Sequence, residues 1–118
     1  MKITIPISVG ELLDKISILQ IKSQYTDNEY VQKELQDLIQ IAQDLEVYNK
    51  THLHLLFEVN SVLWGVEDQI REKEKLQEFD NEFIELARSV YKTNDRRAEI
   101  KKMINEETNS HYKEIKLY

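Results

Sequence analysis

"FIELARSVYKTNDRRAEIKKMIN", residues 83–105, decides whether this chain ends in a long helix or in broken, loop-rich structure. Phe83, Leu86, Ala87 and Val90 recur at helical spacing, and no Gly or Pro interrupts the run, so the pattern predicts one helix to about residue 107. At 100° per residue from Phe83, Val90 falls at about 340°, Asn94 at about 20°, Arg97 at about 320° and Lys101 at about 0°. Asn94, Arg97 and Lys101 therefore continue the stripe meant for the core, with Asp95 on its flank and Arg96 pointing away. A buried guanidinium without partners is strongly unfavourable, so Arg97 requires a carboxylate, carbonyls, water or a bound anion.

Three more helices are legible upstream. Ser8 and Glu11 form a capping box for "SVGELLDKISILQIKSQY", in which Val9, Leu12, Leu13, Ile16 and Leu19 share one face. Ile18, Ile21 and Tyr25 fall nearly opposite, which makes them a candidate interface on a helix with two apolar sides. After "TDN" at 26–28, helix 2 carries Val31, Leu35, Leu38, Ala42 and Leu45 at alternating four and three spacings, the seam of a left-handed bundle. Helix 3, with Thr51 as the expected N-cap, presents Leu56, Val59, Leu63, Val66 and Ile70. Asp80 caps helix 4. At the ends, "KITIPIS" and "HYKEIKLY" alternate apolar residues and are expected to be short strands. The expected fold is mainly α: an antiparallel four-helix bundle in one domain, residues 1–118, with two short terminal β-strands placed to pair.

Composition agrees. Only two glycines and one proline occur among 118 residues of which 32% are charged, which favours long helices over a many-stranded sheet. The absence of cysteine excludes disulfides, thiol nucleophiles and cysteine-ligated zinc. A net charge of -6 is the wrong sign for an extended phosphate-binding surface, so nucleic acid is not an expected partner; that reading would need Arg96, Arg97, Lys101 and Lys102 as an exposed stripe. No run approaches the ~20 apolar residues of a membrane span, and no signal peptide is visible, so a soluble protein of the cytoplasm is expected, the host's if phage-encoded.

Folding helices 3 and 4 together about Phe79 sets Asn94 and Arg97 level with Asn60, Trp64 and Glu67. A polar layer is expected there, in which Glu67 or a neighbouring carboxylate accepts from Arg97. Two readings follow. The layer is structural and fixes helix register, or Asn60, Trp64, Glu67, Asn94, Arg97 and Lys101 line a pocket for a small anion or polar metabolite, with Arg88 as a further donor and Tyr91 a further wall. Other chemistry finds less support. His52 and His54 in "THLH" point to different faces of a helix, and Glu82 and Glu85 lack the second acidic pair that a magnesium-dependent hydrolase needs. Helices 1 and 2 offer Lys15, Lys22 and Lys33 but no arginine for a metal-free mutase. No catalytic residue, metal or cofactor is expected.

Two segments, "IPISVGELLDKISILQIKS" at 5–23 and "FDNEFIELARSVYKTNDRRAEIKKMIN" at 79–105, resemble an uncharacterised family of short bacterial and phage proteins, classified only as a domain of unknown function. Its members share I-S-V-G-E-L-L-D-K and A-R-S-V-Y-x-x-N-D-R-R-A. The resemblance implies that Asp14, Lys15, Glu67, Asp68, Asn94, Asp95, Arg96 and Arg97 belong to family motifs, and implies an accessory role beside glycosyltransferase or surface-polysaccharide proteins. The resulting expectation is a non-enzymatic helical interaction or assembly module that meets a second copy or another protein; the alternative is a ligand-binding protein or unrecognised enzyme built on the polar layer.

Overall fold

A computed structural model describes residues 1–118. Its four helices are α1 (Val9–Ser23), α2 (Glu29–Asp44), α3 (Lys50–Leu76) and α4 (Asn81–Glu107). Each begins where a side chain takes up a free backbone N–H of the first turn. Ser8 accepts from the Glu11 amide at 3.0 Å, Asn28 from Tyr30 at 2.8 Å and Asp80 from Phe83 at 3.0 Å. Helix α3 starts earlier than expected because Asn49, not Thr51, is its cap: the Asn49 amide oxygen accepts from the His52 N–H at 3.0 Å.

Helix α1 is the centre of the fold and touches the other three. Leu12, Leu13 and Ile16 meet Ala42 of α2, Leu53 and Leu56 of α3 and Ile104 of α4 in the main core. Burying side chains of this size contributes roughly 1.5–3 kcal/mol each. Helices α3 and α4 form an antiparallel hairpin, while α2 packs on α1 without reaching either of them.

The two expected strands are not formed. Residues 1–7 and 111–118 lie outside any helix or strand and make no backbone-to-backbone hydrogen bond. The reason lies in what holds the C-terminal segment. Ser110 Oγ accepts from the Val9 N–H at 3.0 Å and donates to the Tyr112 carbonyl, bringing the two ends together. Beyond that point Glu114 is drawn to Lys101 at 3.2 Å, and the largely exposed Ile115 and Tyr118 border an open cleft whose other wall includes Ala98. The segment thus returns along α4 instead of lining up beside residues 2–7, where Pro6 has no N–H to donate.

The hairpin outruns its support. Helices α3 and α4 have 27 residues each against 15 in α1. Buried residues of α3 stop at Asn60, and those of α4 begin at Thr93, so no residue from 61 to 92 is buried. The Cα radius of gyration is 16.0 Å, against roughly 13–14 Å for a compact domain of this length.

Candidate functional site

Where α1 crosses α4, three matched positions run antiparallel. On α1 they are Gly10, Glu11 and Asp14; on α4 they are Asn105, Lys101 and Arg97, four residues apart and so on one helix face. Gly10 permits the approach. Its N–H donates to Asn105 Oδ1 at 2.7 Å, and a Cβ at this position would sit 2.8 Å from the Lys101 carbonyl oxygen and 2.9 Å from Asn105 Oδ1. One step along, Lys101 Nζ donates to Glu11 at 2.7 Å. Further along, the Arg97 guanidinium clamps Asp14 through Nε, at 2.9 Å, and through Nη2.

Asp14 is fully buried. Its carboxylate also accepts from Asn60 Nδ2 at 2.8 Å, and the same amide donates to Ser17 Oγ at 2.8 Å. Ser17 in turn donates to the Asp14 carbonyl. One carboxylate therefore ties α1 to both α3 and α4. The hydrogen bond to Asp14 raises the Arg97 pKa further above its ordinary value, more than burial lowers it, so the guanidinium stays charged throughout the range in which the fold exists.

Among the residues singled out in the sequence, Asn60, Arg97 and Lys101 meet within this layer. Glu67 does not. The carboxylate that accepts from Arg97 is Asp14 on α1, while Glu67, a turn beyond Trp64, takes Arg71 at 3.3 Å. Asn94 is half-buried beside the layer and is not one of its hydrogen-bonded members. Trp64 stacks on Tyr25, ring centroids 5.4 Å apart. Ile21 is buried within the chain, Ile18 is half-buried and Tyr25 is exposed, so these three do not form one bare face. Together with Leu63, Trp64 and Arg97, the two isoleucines line a cleft of about 240 Å³ at the end of α1. The two histidines diverge: His52 Nε2 lies 2.7 Å from Glu107 on α4, and His54 faces Glu58 at 3.0 Å.

Asp14, Ser17 and Gly10 do not stand out as site residues in the sequence because they are polar or small. A signal was nevertheless present. Gly10, Asp14, Ser17 and Ile21 are spaced four, three and four apart, which is a second seam on α1 that a search for apolar residues alone passes over. In chemical terms the layer is a closed clamp: Arg97 is matched by Asp14, and Lys101 lies between Glu11 and Glu114. No helix of the chain is long and apolar enough to cross a membrane.

A model of a family of unknown function (DUF6165) matches residues 1–118, and the chain belongs to that family. No curated protein and no solved structure matches it.

Proposed function

We propose that this member of a family without an assigned activity is a non-enzymatic helical interaction or assembly module. The Asp14–Arg97 layer sets α1 rigidly on the base of the α3–α4 hairpin, and the distal hairpin is the contact surface. One observation carries this reading. The face of α4 that meets α1 at Arg97, Lys101 and Asn105 continues, in helical phase, through Asn94, Val90, Ala87 and Phe83, where α1 has already ended. Its lower half is covered and its upper half is open. Such a module fits the accessory role beside surface-polysaccharide proteins that the sequence resemblance implies.

A photoreactive residue at Ala87, on the open face, is expected to cross-link to protein in the source cell, while one at Lys92 on the far side of α4 is not. Equal labelling from both positions, or from neither, counts against the module.

The cleft beside Trp64 supports a second reading, a site for a small anion, because the Nη1 edge of Arg97 is not used by Asp14. Saturable binding of inorganic phosphate that is lost in Trp64→Ala would favour it. Absence of such binding leaves the module.

A further inference from the structure

The partner can be specified further, on the premise that the distal hairpin is an interaction surface. Past the end of α1, about eleven residues of each helix, roughly 66–76 and 81–91, run on as a two-helix strip. Two helices alone cannot cover their own seam, because each buries only the side turned to the other and leaves an open groove. Leu63, Val66, Ile70, Phe83, Leu86 and Val90 are accordingly only half-buried. Ala87 is exposed on the open face, with Ile84 at 50% and Tyr91 at 55% exposure along its edge.

We infer that the groove is filled by the same strip of a second copy, antiparallel across a two-fold axis, so that two hairpins close one four-helix bundle. Three observations select this occupant. First, the missing half of a two-helix strip is another two-helix strip of equal length, and a two-fold operation supplies one without any further protein. Second, a footprint of about 16 by 20 Å, given the rise and width of two helices, is about 320 Å² in plan and, with side-chain relief, several hundred Å² per copy, in the range of small, weakly held interfaces. Third, the charges on the rim are self-complementary. Glu67 and Arg71 lie on the α1-facing side of α3 and, in one chain, form only an exposed ion pair of 3.3 Å. With the two-fold axis level with residue 69, slightly toward the base from the middle of the strip, an antiparallel copy sets Arg71 opposite the Glu67 carboxylate of its mate and Glu67 opposite the mate's guanidinium, so the pair is exchanged reciprocally. In the same arrangement each hairpin tip, with exposed Leu76 and Phe79, reaches the base of the other strip, where Trp64 stacks on Tyr25.

The chain has no cysteine, so single introduced cysteines report on the contact without background. The test combines light scattering of the full chain with oxidative cross-linking. The wild-type chain is expected at twice the mass of the 14.1 kDa protomer. Ala87→Cys, close to the two-fold axis, is expected to form an interchain disulfide, and Lys92→Cys on the far side is not. Ala87→Glu sets two like charges against each other in the dimer and is expected to raise its dissociation constant about tenfold or more, while the helical circular dichroism of the dilute monomer stays unchanged because Ala87 is exposed. A monomer at every concentration overturns the second copy; if Ala87 still cross-links to another protein in cells, the module reading survives that failure, and if it does not, both fall. A dimer joined through Lys92→Cys and not through Ala87→Cys also overturns the arrangement.

Discussion

Removing the Asp14 carboxylate leaves the Arg97 guanidinium without its acceptor inside the fold and the Asn60 amide with Ser17 Oγ alone. Asp14→Ala is therefore expected to destabilise by about 3 kcal/mol, the lower end for a broken buried pair, because Arg97 still reaches water on one edge. Arg97→Met is expected to cost a similar amount for the opposite reason, since Asp14 is fully buried and keeps only the Asn60 donor. The double variant Asp14→Leu/Arg97→Met removes both charges and should lose markedly less than the two single losses added together; urea unfolding of all four proteins measures the coupling. Additive losses would show that the two residues act independently. Gly10 offers a second test at this scale. Gly10→Ala places a methyl 2.8 Å from the Lys101 carbonyl, which forces α1 and α4 apart at an expected cost of about 2 kcal/mol. Gly65, with nothing near its missing Cβ, serves as the control. Gly65→Ala should be neutral or stabilising by up to ~1 kcal/mol through helix propensity alone.

At the scale of an element, the α3–α4 turn is held by ionic contacts beside one edge-to-face contact of Phe79 with Phe83, ring centroids 5.2 Å apart. Lys73 Nζ gathers Glu78 at 3.2 Å, Asp80 at 3.1 Å and Glu82 at 3.3 Å. The Phe83 N–H, and after it Lys73, hold the Asp80 carboxyl below its ordinary pKa. A carboxyl whose folded-state pKa is depressed adds stability that is present above its unfolded value and lost as pH falls through the folded one. The hydrogen bond that Lys73 donates to Asp80 raises the Lys73 pKa, and the Lys73 contribution is lost only far into alkali. The turn is thus expected to loosen on the acid side of the carboxylate range. Amide hydrogen exchange at Phe83, corrected for its intrinsic pH dependence, should lose protection there in the wild type and show much less pH dependence in Asp80→Ala. A protection factor that is flat with pH in the wild type would remove Asp80 from the cap.

For the whole molecule, every buried residue lies in the base, either in α1, α2 and the adjoining halves of α3 and α4 or at Ser8 and Ser110 beside them. A chain in which residues 66–89 are replaced by a short turn is expected to keep the base folded and to lose self-association, because it removes the open strip and no buried side chain. Circular dichroism and light scattering report the two outcomes separately. Loss of the fold would mean that the strip supports the base as well as extending from it.

The helices and the inward phase of Arg97 follow from the sequence alone, since period and capping act within a few residues: spacing separates core-facing from solvent-facing positions, and Ser8, Asn28 and Asp80 cap their own first turns. The identity of the Arg97 partner does not follow from any local pattern, because Asp14 lies 83 residues away and is presented by α1, whereas the carboxylate nearer in sequence, across the hairpin, is Glu67. The alternating ends have strand periodicity, yet period 2 requires a neighbour with free backbone groups, and the Lys101–Glu114 pair draws the C-terminal segment elsewhere. The open groove is likewise a tertiary fact. It exists because α1 stops several turns before the hairpin that it supports, and only packing shows where one helix ends against another.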